Sequence, residues 1–238
     1  MEEMIWPPAY TVKKHPRARH VKLKATLRHG LELVVPPRFN IKHIPEILEQ
    51  HRKWIEQQLQ KLHFQLMSPS ANVLPDEISL SAINLSWKIT YIKTDSKKLR
   101  VYTRPGQELV LMGNTEDKSN VQKILTLWLK KQAAKILTDR LNHLSQLTQL
   151  PYHSVRIRGQ RSRWGSCSAD KQIILNYKLL FLPQVLMDHI IIHELCHTVH
   201  LNHSSRFWRK VASLDPQWKE NSREVKLADK YIPVWLEM

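Results

Sequence analysis

Residues 191–208, IIHELCHTVHLNHSSRFW, carry the side chains of this chain best suited to chemistry. His193, Glu194 and His197 form an HExxH motif, and His203 follows six residues after His197. On a helix, residues four apart lie about 40° apart around the axis, so His193 and His197 project from one face. Two imidazoles one turn apart can hold a single zinc ion, and Glu194 beside them can work on the water that zinc activates. The pattern predicts a Zn2+-dependent hydrolase, with His193 and His197 on the metal and Glu194 as general base.

Catalytic zinc normally takes three protein ligands and keeps one position open. His203 is the preferred third ligand. Six residues is too far along one helix face, so the helix is expected to end near Val199–Leu201 and the chain to turn back. Asn202 suits that turn, because Asn tolerates left-handed backbone. His200 competes, but three ligands on one straight helix would spread along roughly 10 Å of axis, too far for one tetrahedral ion. His200 is therefore expected beside the ligands or in solvent.

With 13 histidines in the chain, such a motif could arise by chance at roughly the few-per-cent level. Against coincidence stand the apolar run through Leu186, Met187, Ile190, Ile191 and Ile192 and the lack of Gly or Pro from Gln184 to His200. Cys196 reads as a small buried apolar side chain. Cys167, in a turn-like Gly-Ser-Cys-Ser, has nothing to support a nucleophilic role. A tetrahedral intermediate needs an oxyanion donor; Tyr177, His200 and the arginines of 156–163 all remain open.

The elements that must position these groups follow from periodicity. Residues 19–35 alternate apolar and polar around His29-Gly30, as a hairpin does. Residues 41–67 place Ile44, Ile47, Leu48, Trp54, Ile55 and Leu59 at helical spacing. SPSANVLP (68–75) is a breaker-rich link and a candidate subdomain boundary. Strands are expected at Ile78–Leu80, Trp87–Ile92, Leu99–Thr103 and Glu108–Met112, then a helix over 119–147. Residues 153–158 and 172–178 read as strands around the basic segment RGQRSRWGSCSADK. Pro183 opens the motif helix, and two helical stretches follow near 204–213 and 217–230. The fold class is α+β: a β-rich N-terminal region over 1–118 with one helix near 41–67, then a catalytic domain over 119–238.

At 238 residues, with 42% apolar and 24% charged content, the chain reads as a folded protein with a sizeable core. No apolar run reaches the roughly 20 residues of a membrane span. The opening residues lack the apolar core of a secretion signal, and two cysteines are too few for a disulfide framework; a cytoplasmic location is expected. The formal charge of +16 favours polyanions, which makes nucleic acid a candidate partner beside a polypeptide substrate.

The residues from Arg158-x-Gln160-x-Ser162-Arg163-Trp164-Gly165-Ser166-Cys167-Ser168, through Leu175-Asn176 and Pro183, to the HELCH of 193–197 and His203-Ser204-x-x-Phe207-Trp208 resemble the YgjP-like metal-dependent hydrolases, relatives of the WLM and SprT-like zinc proteases. The resemblance covers 153–210 most specifically and 68–150 only loosely. It implies a zincin-like catalytic domain with an active-site HExxH helix, metal ligands at His193, His197 and His203, and a general base at Glu194. The His-to-His spacing also equals that of metzincins, but a metzincin has a glycine where His200 stands. In zincins an edge strand aligns the substrate by β-addition; here 156–164 or 172–177 would supply it.

The arginine-rich stretch has two readings of equal standing. Arg156, Arg158, Arg161 and Arg163 could recognise phosphate or carboxylate beside the zinc, with Trp164 as a stacking platform. Alternatively Trp164 lies in the core and the arginines pair with acids such as Asp188 or Glu224.

Overall fold

The computed structural model describes residues 6–26, 30–67, 74–96, 98–160 and 162–236. Two compact units emerge, one within 1–73 and the other spanning Leu74–Leu236.

In the first unit, strands β1 (Tyr10–Lys14), β2 (Lys22–Thr26) and β3 (Gly30–Val35) form a sheet in the order β1-β3-β2. The expected antiparallel pairing appears between β2 and β3, while β1 joins β3 in parallel, a partner that periodicity did not predict. The turn at His29 lies outside the described residues. Alternation puts Leu31, Leu33 and Val35 on one face, and all three are fully buried against Ile44, Leu48 and Ile55. The single helix expected over 41–67 is a 3-10 turn at Ile41–His43, then α1 (Ile44–Gln50) and α2 (Arg52–Met67). The break falls at His51, whose N–H is shared between the carbonyls of Ile47 and Leu48. Trp54, expected on the apolar face, is 39% exposed and outside that core.

In the second unit, β4 (Glu77–Leu80), β5 (Leu85–Lys93), β6 (Arg100–Arg104) and β7 (Glu108–Gly113) lie in the order β4-β5-β7-β6. The long α3 (Lys118–Thr148) is capped by Asp117, whose carboxylate accepts the Asn120 N–H. A second sheet holds β8 (Ser154–Arg158), β9 (Gly165–Cys167) and β10 (Gln172–Asn176) in the order β8-β10-β9. After a 3-10 turn at Tyr177–Phe181 come α4 (Gln184–Cys196), α5 (Ser205–Leu214) and α6 (Trp218–Val225). The helix expected over 217–230 stops at Val225 and resumes as a 3-10 turn at Ala228–Tyr231.

One core unites this second unit. Ile78, Ile89, Leu109 and Leu111 of the four-stranded sheet share it with Leu125 and Leu129 of α3 and with Ile191 and Leu195 of α4. The sequence expectation set the domain boundary at 118/119 and offered the 68–75 link as a subdomain boundary; the second compact unit begins at Leu74, within that link. The sheet of 77–113 buries its apolar face on the same core as the motif helix, and alternation within a strand says nothing about which helix will cover it. No helix among the described residues is long and apolar enough to cross a membrane.

Candidate metal centre

Pro183 starts α4, and the apolar residues Leu186, Met187, Ile190, Ile191 and Leu195 sink the helix into the core. His193 and Glu194 sit in its last turn, and His197 is its C-cap residue with φ −68° and ψ −16°. The helix ends at Cys196, earlier than the Val199–Leu201 expected. Thr198 is the local cause: its hydroxyl donates to the Leu195 carbonyl at 2.8 Å, competing with the helical ladder. Asn202 does not adopt the left-handed backbone expected of it. Its side-chain oxygen instead accepts the Ser204 N–H at 3.3 Å and turns the chain that way.

This turn brings His203 back over the helix. Nε2 of His193 lies 3.2 Å from Nε2 of His197 and 3.1 Å from Nε2 of His203. These donors can hold one metal ion. Nitrogens about 2.0–2.1 Å from a tetrahedral zinc would be about 3.3 Å apart, so His193 already stands at nearly that separation from both other imidazoles. Nδ1 of His197 is 3.0 Å from the His200 carbonyl. Donation from Nδ1 to that oxygen leaves Nε2 free as a lone-pair donor. The competitor His200 therefore contributes its backbone, and its ring is absent from the cluster.

Burial favours the neutral imidazoles a metal needs. The His193 pKa is pushed down to about 3, first by desolvation and then by His197, His203 and His189. His197 is lowered as well, again chiefly by desolvation. The rings are packed from outside: Phe207, fully buried, stacks on His197 at 4.5 Å, and Trp208 stacks on the exposed His203 at 5.6 Å. Trp218 stacks on Trp208 in turn, at 4.8 Å.

Glu194 is 6% exposed, and its Oε2 has no hydrogen-bond partner among the described residues. Desolvation lifts its pKa to about 8, against a smaller downward pull from Arg163. A Cβ on Gly165 would lie 2.7 Å from the carboxylate, so β9 can pass this close only because residue 165 is glycine. Cys167, two residues on in the same strand, is half-buried. Its thiol is pushed up to about 11, first by desolvation and then by Glu194, so it stays protonated and weakly nucleophilic. Cys196 is fully buried, as a small apolar side chain would be.

The strand arrangement departs from expectation. β10 is central in its sheet, paired with β8 on one side and β9 on the other, so 172–177 has no free edge for a substrate. The strand beside α4 is β9, which periodicity missed because three residues cannot show alternation. Buried Asn176 shapes the approach to it, donating from Nδ2 to the carbonyls of Gln160 and Arg163 at 2.7 and 3.1 Å.

The two acids named for the arginines have other partners among the described residues. Asp188 is held bidentately by Arg140 at 2.6 and 2.7 Å, and Glu224 partners Lys230 and Tyr231. Arg156 and Arg158 are exposed on one face of β8, Trp164 packs against the core, and Arg161 lies outside the described residues. Tyr177 is a core residue, its ring in the path of any Cβ on Gly159.

One further group was missed in the sequence. His189, one turn before His193, has Nδ1 2.6 Å from the Asp215 carboxylate and Nε2 3.1 Å from Ser222 Oγ. Asn221 also donates to Asp215, so the network ties α4 to α6. The i, i+4 repeat of histidine was the available signal.

No curated protein matches this chain. Among solved structures it is similar to the metallopeptidase zymogen of Pyrococcus abyssi abylysin, at 31% identity and a TM-score of 0.36, over 40% of this chain and 94% of that one. It is also similar to the metallopeptidase zymogen of Methanocaldococcus jannaschii jannalysin, at 22% identity and a TM-score of 0.34, over 40% and 96%. The sequence model of the YgjP-like metallopeptidase domain matches residues 19–228, and with that span the chain belongs to the YgjP-like metallopeptidase family.

Proposed function

We propose that this metallopeptidase is zinc-dependent, with His193, His197 and His203 holding the ion and Glu194 acting as general base in a zincin-like catalytic domain. The observation that carries the reading is the convergence of three imidazoles, with Nε2 of His193 3.1–3.2 Å from the other two and all three within 4.8 Å, beside a buried carboxylate with one oxygen unpartnered among the described residues. Zinc in such a site lowers the pKa of its water toward 7 and polarises a carbonyl. Glu194 takes a proton from the attacking water and delivers it to the departing amine, a shuttle that a carboxyl with a raised pKa performs near neutrality. The substrate is a polypeptide, since the family is one of peptidases. Its backbone would be aligned along β9, the strand that meets Glu194. Both cysteines are free thiols, which suits a reducing compartment, and we assign the protein to the cytoplasm.

The test is metal content and peptide cleavage for wild type, Glu194→Gln and His203→Ala. Glu194→Gln should keep its zinc and lose about 10²–10⁴-fold in kcat, the usual worth of a positioned proton carrier. His203→Ala should lose zinc. Full cleavage by Glu194→Gln would remove Glu194 from the mechanism, and unchanged zinc affinity in His203→Ala would remove the third ligand.

A further inference from the structure

Between Glu3 and Glu32 the chain contains no aspartate or glutamate. The same stretch contributes Lys13, Lys14, Arg17, Arg19, Lys22 and Lys24, all exposed. Strand register sorts these charges. Lys22 pairs with Val34 and Lys24 with Glu32 across the antiparallel ladder, while Lys13 pairs with Val34 and Thr11 with Glu32 across the parallel one. Leu31, Leu33 and Val35 occupy the opposite face, buried against α1 and α2. Hence Lys13, Lys22 and Lys24 stand on the outer face of the sheet, and Arg17 and Arg19 lie in the connection leading onto it. The one acid on that face among the described residues, Glu32, is 7% exposed and partnered by the Lys13 ammonium.

We propose that the outer face of the first unit's sheet binds the phosphodiester backbone of nucleic acid without reading its sequence. Charge complementarity commits the face to a polyanion: cations from two strands share it, further exposed cations lie in the connection between those strands, and the acid among them is already neutralised. Successive lysines on one face of β2 are about 6.7 Å apart, two residues of strand rise, which spaces them for separate contacts along a chain of charges. A lipid surface fits less well. Among the described residues the outer face presents Thr11, Lys13, Lys22, Lys24 and Thr26 around the half-buried Val34, with no aromatic or long aliphatic side chain, and binding at a membrane interface uses such side chains as anchors. The exposed Tyr10 belongs to the other register, paired with Leu31. The inference does not depend on the metal centre.

The experiment uses the full chain and fluorescence anisotropy with labelled 20-nucleotide single strands and duplexes, from 50 to 300 mM salt. Arg17→Gln/Lys22→Gln/Lys24→Gln removes three cations while sparing the Lys13–Glu32 pair; Lys22→Gln/Lys24→Gln serves should the triple variant fold poorly. Lys123→Gln/Lys131→Gln/Lys135→Gln on α3 removes the same charge from elsewhere. Wild type should bind with affinity falling steeply with salt. The sheet variant should lose at least tenfold at 100 mM salt and flatten the duplex salt slope by about 3, roughly one per phosphate contact removed. The α3 variant should lose less than threefold. Equal losses in the two triple variants would reduce the effect to net charge and overturn the proposal. So would absent or salt-independent binding at 50 mM salt, or tighter binding to phosphatidylserine vesicles than to either nucleic acid.

Discussion

At the scale of single residues, the closest constraint on the chemistry is the approach of β9 to Glu194. With Oε1 and Cγ of Glu194 both 2.7 Å from where a Cβ would stand, Gly165→Ala must displace the carboxylate or the strand. Gly165→Ala should therefore lower kcat by at least tenfold while zinc affinity changes less than threefold, read by peptide cleavage and competitive chelation. The same carboxylate gives the metal-free protein a pH signature. Its pKa rises from 4.5 to about 8 on folding, so between those values the folded state binds more proton than the unfolded one, and stability falls with rising pH. The contribution is fully present below pH 4.5 and lost as the pH passes 8. Glu194→Gln lacks this titration. Thermal melts of the two metal-free proteins should show wild type losing several degrees relative to Glu194→Gln between pH 5 and 8. Parallel melting curves would contradict a buried, proton-binding Glu194.

At the scale of elements, α4 and its C-cap supply two candidate ligands and α5 holds the third in place. His203 is exposed and precedes α5, so its ring gains its orientation from packing against Trp208, itself stacked on Trp218. Groups that orient a metal ligand typically change affinity by about 10–100-fold when removed. Trp208→Ala should weaken zinc binding by about tenfold, whereas Trp208→Phe, which keeps a ring against His203, should stay within threefold of wild type. Competition with a chromophoric chelator reads both. Equal affinity in wild type and Trp208→Ala would mean that the turn at Asn202 alone orients His203.

At the scale of the whole molecule, the two units have separate cores, with Leu33 fully buried in the first and Leu195 fully buried in the second. Leu33→Ala should destabilise the first unit by about 2–5 kcal/mol, the usual range for a buried leucine. In calorimetry this should move one transition and leave zinc affinity within twofold of wild type. A single transition shifted as a whole, with zinc affinity lost, would show that the metal centre requires the first unit.

Much of this was legible along the chain, because helices and strands of ordinary length write their period into apolar spacing. The span of α3 and the positions of β4 to β7 came from that signal; Pro183 marked the start of α4, and the HExxH motif gave the candidate ligands His193 and His197, one turn apart. The HELCH and His203-Ser204-x-x-Phe207-Trp208 pattern also sufficed to point to the family. Contacts between distant segments carry no period. The parallel pairing of β1, the central place of β10, the three-residue β9 against Glu194 and the bond from His197 to the His200 carbonyl are all of that kind. So is the membership of the 77–113 sheet in the core that buries α4. Local sequence sets the period of each element; only the folded chain decides what each face meets.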